Sequence, residues 1–131
     1  MKAIVRSLAA ATSLALAVVA TAATAAPKDY AFEPVSADVR NGSGSDLAVR
    51  IVHKPTGKPV EGAVLFRTRL DMSPESMEAM TAKHTALPSN EPGVYKFRAD
   101  LTMAGRWAFK LMAKVPGETG TVEGTVVFKA K

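Results

Sequence analysis

The chain has 131 residues and a mass of 13.8 kDa, with 47% apolar and 22% charged residues, a globular composition rather than a disordered or fibrous one. It has no cysteine, which excludes a disulfide framework, a thiolate nucleophile and a Cys-ligated zinc site together. The formal charge of +5 becomes +3, 15 basic against 12 acidic residues, once Lys2 and Arg6 of the leader are set aside. That excess is small and dispersed, and nucleic acid is not an expected partner.

Lys2 and Arg6 precede an uncharged Ala/Leu/Val-rich run from Ser7 to Ala23, and Ala23-Thr24-Ala25 is the small-x-small pattern that signal peptidase reads. The run is shorter and more diluted with Ala and Thr than the roughly 20 strongly apolar residues of a spanning helix. The expectation is a cleaved signal peptide over 1–25 and a periplasmic mature domain over 26–131, with no membrane insertion after cleavage.

From Tyr30 onward the apolar period is two. Leu47, Val49 and Ile51 share one parity, as do Tyr95, Phe97, Ala99 and Leu101, then Trp107, Phe109, Leu111, Ala113 and Val115, then Val122, Val126 and Phe128. Such alternation marks half-buried antiparallel strands. Turn residues fall between the runs at 41–45, 55–58, 91–93, 104–105 and 116–118. Strands are therefore predicted at about 30–39, 46–54, 60–71, 82–87, 93–101, 105–115 and 121–129. About seven short strands predict an all-β, immunoglobulin-like antiparallel sandwich, with Trp107 and Phe109 as its central plug. Asn41-Gly42-Ser43 matches a glycosylation acceptor but reads as a turn.

One stretch breaks the alternation. Ser73 is a good N-cap, Pro74 suits the first helical position and Glu75 the first turn, so a short helix or helical loop is expected at about 73–84.

The chain carries no G-x-S-x-G, H-E-x-x-H or phosphate-cradling glycine loop, and no motif for an organic cofactor, so an enzyme is not expected. His53 lies at a strand end and reads as a rim residue. The methionines are more informative. Met72, Met77 and Met80 fall close together, His84 follows, and Met103 comes later, whereas Met112 sits between Lys110 and Lys114 on a solvent-side position. Thioether sulfur is a soft, neutral donor suited to Cu(I). Met77, Met80 and His84 at i, i+3 and i+7 equally describe the apolar stripe by which a short helix packs on a sheet, and methionine fills irregular gaps well. On a helix, Met77 and His84 would stand about 10.5 Å apart along the axis, whereas Met77 with Met80, or Met80 with His84, are closer pairs.

Gly57-Lys58-Pro59-Val60-Glu61-Gly62-Ala63, Asp71-Met72-Ser73-Pro74, Pro92-Gly93-Val94-Tyr95 and Met103-Ala104-Gly105-Arg106-Trp107, in that order, resemble the YtkA-like domain, related to FixH-type proteins, over roughly 46–129. The resemblance implies an exported immunoglobulin-like sandwich of the kind often found with heavy-metal efflux systems. It also implies that the methionine loop, Met72, Met77 and Met80, together with Met103, is the family's methionine-bearing region. Family members often carry a tighter Met-Pro-x-Met run, where this chain has Met72-Ser73-Pro74. The expected function is a periplasmic accessory that binds Cu(I) or Ag(I) through Met72, Met77, Met80 and Met103, with His84 as an optional donor, and serves a heavy-metal efflux complex. The alternative is a metal-free structural or protein-interaction module that docks to another envelope protein.

Overall fold

The computed structural model describes residues 29–131, which form ten strands in two sheets packed face to face. The leader expected over 1–25 lies outside the described residues. One sheet runs β1 (Tyr30–Pro34), β3 (Gly42–His53), β8 (Val94–Leu101), β7 (His84–Leu87), with the two-residue β4 (Lys58–Pro59) on the end of β3. The other runs β2 (Asp38–Val39), β10 (Thr121–Ala130), β9 (Gly105–Lys114), β5 (Val64–Met72), β6 (Met77–Thr81). The pairs are antiparallel except β2 with β10. This is the all-β, immunoglobulin-like sandwich that the alternation predicts. No helix among the described residues is long and apolar enough to cross a membrane.

Parity along the strands determines what is buried. Leu47, Val49, Ile51, Phe97, Ala99 and Leu101 from the first sheet are each at most 3% exposed, as are Trp107, Phe109, Leu111, Val122, Val126 and Phe128 from the second. The sheets meet where Phe97 and Phe109 lie 4.8 Å apart between ring centroids, tilted at 53°, a geometry worth about 0.5–1.5 kcal/mol beyond the area it buries. The Trp107 indole N–H donates to the Met103 carbonyl at 3.0 Å, so the one polar atom of the plug is satisfied. Gly124 belongs to the inward parity of β10, and a Cβ there would run into the Phe32 ring. The missing side chain is what lets β1 pack across β10.

Three local expectations change. The helical stretch expected at about 73–84 is confined to one 3-10 turn, Ser73–Glu75, because Ser76 adopts a left-handed φ of 59° and reverses the chain. Met77–Thr81 then pairs with the end of β5, and His84–Leu87 with β8. Ser73 is not the cap: its N–H donates to the Asp71 carboxylate at 3.0 Å, an Asx-type turn. The expected turn at 41–45 is largely strand, since β3 begins at Gly42 with a register irregularity before Ser45, whose hydroxyl donates to the Arg40 carbonyl.

The two flanks of the sandwich differ. On one, the N-terminal segment leaves the first sheet after Pro34 and joins the second as β2, with backbone bonds Val35 N–H to Ala48 O at 3.0 Å and Lys129 N–H to Ala37 O at 2.7 Å. That switch laces the sheets together. On the other, β7 and the front half of β5 are edge strands, bridged by a hydrogen bond of 2.6 Å between Thr68 Oγ1 and His84 Nε2.

Asp71 is fully buried near the end of β5, where that strand lies between β9 and β6. It accepts from Arg69 Nε at 2.8 Å and Lys110 Nζ at 3.1 Å as well as from Ser73. Burial alone would raise its pKa, but the hydrogen bonds from Ser73, Arg69 and Lys110 outweigh it and hold the carboxyl well below the usual carboxylate range.

Two expected outcomes follow from this packing. Trp107→Ala should cost about 3–5 kcal/mol in denaturant unfolding, the usual range for emptying a buried aromatic site; a cost under about 1 kcal/mol would contradict the assigned core. The folded-state pKa of Asp71 is depressed, so its stabilisation is complete above its unfolded pKa of about 3.9 and is lost as pH falls below that toward the folded value. Asp71→Asn should therefore lower stability at neutral pH by roughly 1–3 kcal/mol and flatten the acid limb below about pH 4. Thermal melts of both forms across that range check it.

Candidate functional site

β5 delivers Met72 to one end of the sandwich, and the Ser73–Glu75 turn with left-handed Ser76 folds Met77 back directly opposite it across the β5–β6 pair. Arg106, the first residue after Gly105 in β9, clamps that turn. Its Nε and backbone N–H donate to Glu75 Oε1 at 2.9 and 3.2 Å, and its guanidinium reaches the Pro74 carbonyl at 3.0 Å. Those hydrogen bonds from Arg106 hold the Glu75 carboxyl below its ordinary pKa.

The β8–β9 turn bears Met103 and closes on the same corner. Gly105 has φ +135°, and a Cβ there would meet the Met72 methyl at 2.8 Å and Glu75 Cγ at 3.5 Å. Glycine is required here by its backbone angle, and its missing side chain leaves room for the Met72 methyl. Met72 is fully buried, Met77 packs half-buried against the core, and Met103 is 42% exposed.

Two of the expected donors lie apart from this corner. Met80 sits further along β6, 37% exposed. His84 opens β7 in the opposite sheet, where its ring packs 5.2 Å from Phe109. Both ring nitrogens are engaged: Nδ1 lies 3.1 Å from the Ala82 carbonyl, which can only accept, and Nε2 lies 2.6 Å from Thr68 Oγ1. In the neutral ring, Nδ1 carries the proton and Nε2 accepts from the threonine hydroxyl. His53 takes the expected rim position, with Nδ1 2.8 Å from Thr56 Oγ1. Among the described residues no three His, Asp or Glu side chains gather into a group that could hold a metal ion.

Sequence reasoning did not find Arg106 or Asp71. The Arg106 clamp joins residues 31 positions apart and leaves no local signal. Asp71-Met72-Ser73 does carry one, the Asx-turn spacing of an aspartate two residues before a turn N–H. A cavity of about 450 Å³ on the flank between β5 and β7 also went unseen; none of the five expected donors lines it.

No curated protein matches the chain. Among solved structures it is similar to the Lin-41 filamin domain, at 13% identity and a TM-score of 0.46, over 81% of this chain and 95% of that one. It is similar also to the ZirS C-terminal domain, at 12% identity and a TM-score of 0.45, over 100% of this chain and 84% of that one. The YtkA-like family model matches residues 24–112, beginning earlier than the quoted motifs and ending within β9. That match covers well over half of the sequence, and the chain belongs to the YtkA-like family.

Proposed function

We propose that this small sandwich is a periplasmic module that holds Cu(I) or Ag(I) through thioether sulfur and acts as an accessory to a heavy-metal efflux complex. The observation that supports it is the corner itself, where Met72 and Met77 stand opposite one another beside the turn that carries Met103. A soft monovalent cation needs few ligands and accepts neutral sulfur, which hard cations do not. The 3-10 turn is held by Arg106, so Met72 and Met77 are placed before any ion arrives. Met80 and His84 are secondary donors. For His84 to ligate through Nε2 it must exchange the Thr68 hydroxyl for the metal.

A second reading has its own support. Met72 is wholly buried as a core residue and His84 is fully hydrogen-bonded. On that reading the methionines serve packing, and the protein is a metal-free interaction module docking through a sheet edge.

Anaerobic titration with Cu(I) against a competing chelator separates the two. Leucine is close to methionine in volume, so Met72→Leu, Met77→Leu and Met103→Leu together should cost less than about 1.5 kcal/mol per site without metal. The same triple variant should lose Cu(I) affinity by at least about 100-fold, with Met80→Leu alone having a smaller effect. Zn(II) should bind poorly to both forms, since thioethers are weak ligands for it. A triple variant that keeps wild-type Cu(I) affinity, or a wild type that binds none, ends the metal reading and leaves the interaction module.

A further inference from the structure

The inward parity that buries the rest of the core fails at one place. Ala86 pairs with buried Phe97 and shares its inward direction, yet it is exposed; Leu65 pairs with buried Ala113 and is only half-buried. Both line the cavity of about 450 Å³, with Ala63, Leu87, Val94 and Phe97. The sandwich therefore leaves a strip of core-facing apolar surface uncovered along this flank.

Backbone groups are unmatched along the same strip. Val64–Arg67 has β9 on one side and no strand on the other among the described residues, and β7 has β8 on one side only. Fixed contacts bound the opening. At one end the Tyr95 hydroxyl donates to Val60 O at 2.8 Å and accepts from Ala63 N–H at 2.9 Å; at the other stands the Thr68–His84 bond. Between them lie about four residues of free β5 edge, a length of roughly 13 Å in extended chain. A groove held at both ends does not have to be organised on binding.

Charges lie both in the groove and along its edge. In the lining Glu91 is paired with Lys96 at 3.5 Å, and Glu61 stands near the Ala63 end. On the free edge, exposed Arg67 pairs across β5–β9 with Met112 and has no ion pair among the described residues. Lys114 has none either, its ammonium lying 5.6 Å over the ring of Phe66, which is 46% exposed at the β5 bulge. We infer that this groove is a docking site for an extended segment of a partner protein, which adds as a strand at the β5–β7 opening. Alternate apolar side chains of that segment enter between Leu65 and Ala86, and an acidic residue faces Arg67. Strand addition supplies affinity through the main chain and specificity through alternate side chains. The inference deepens the interaction reading of the module, and it does not depend on metal.

The test uses metal-free mature protein labelled with nitrogen-15 and two hexapeptide probes, Ac-Thr-Val-Glu-Val-Thr-Val-NH2 and the same peptide with lysine in place of glutamate. Amide shifts at 63–67 and 84–87, slowed exchange of the β5 edge amides and about fivefold tighter binding of the acidic probe are expected. Arg67→Glu should reverse the order of the two probes, and Ala86→Phe should weaken both about tenfold by filling the groove. The unbound amide spectrum of each variant establishes that it is folded. Equal affinity for the two probes, or no shift at these residues at millimolar peptide, overturns the proposal. So does self-association of the unliganded protein through the same amides, which would make the occupant a second copy. Probe binding at another surface overturns the groove while leaving the interaction reading of the module standing.

Discussion

The contact between Phe97 and Phe109 is the place where the two sheets become one body. With no cysteine, nothing covalent joins them, and the aromatic residues that could substitute are few. Trp107, Phe109 and Phe128 supply the second sheet's share, two of them from β9. β9 is consequently central in more than position. It pairs with β10 and β5, buries the plug residues, and through Arg106 anchors the turn that presents Met77. A change that unseats β9 would disturb the methionine corner even if it touched no sulfur.

Closure of the sandwich is lopsided. One edge of the core is covered because the N-terminal segment changes sheets, pairing with β3 and then running parallel to β10. The chain has no equivalent segment on the far flank among the described residues, where Thr68 and His84 make the bridge with two side chains. Edge strands invite pairing with other chains, and natural proteins blunt them with charge, bulges or covering loops. β5 has a bulge at Phe66, and β6 covers only its last residues. The front of β5 has no strand beyond it among the described residues.

Alternation made most of this fold legible. Every run of inward parity quoted from the sequence for β3, β9 and β10 is buried, because a period of two in half-buried strands has one physical meaning. The segment at 73–84 misled for an equally physical reason. Ser73-Pro74-Glu75 does start a helical turn, but whether it continues depends on Ser76 entering the left-handed region and on the end of β5 being available to pair. Neither is written in the local spacing of Met77 and Met80, which suits a helix stripe as well as a strand. The methionines could be named from residue type, whereas their placement is a tertiary matter. Met72 and Met77 are paired across a hairpin, and Met103 lies in the turn before Gly105, whose backbone approaches Met72. The groove was hidden more deeply still, since Ala86 has the parity of a core residue and is exposed because, among the described residues, no strand lies beyond β7 and the front of β5.

His84 links the two ends of the functional description. Its ring packs against Phe109 and its Nε2 accepts from Thr68, so it belongs both to the core and to the bridge that bounds the groove. On the proposed reading, a cation taken by Met72, Met77 and Met103 would leave that bridge intact. A cation that also recruited His84 would spend the lone pair on the metal and release the Thr68 hydroxyl, removing the only side-chain bond described between β5 and β7. Its energetic consequence is modest, since one neutral hydrogen bond contributes about 0.5–1.5 kcal/mol net. Its geometric consequence is larger, because the bond fixes where the open edge of β5 stops. Under the proposed function, metal held by thioethers alone would therefore leave the flank cavity untouched, and only ligation by His84 would couple the two.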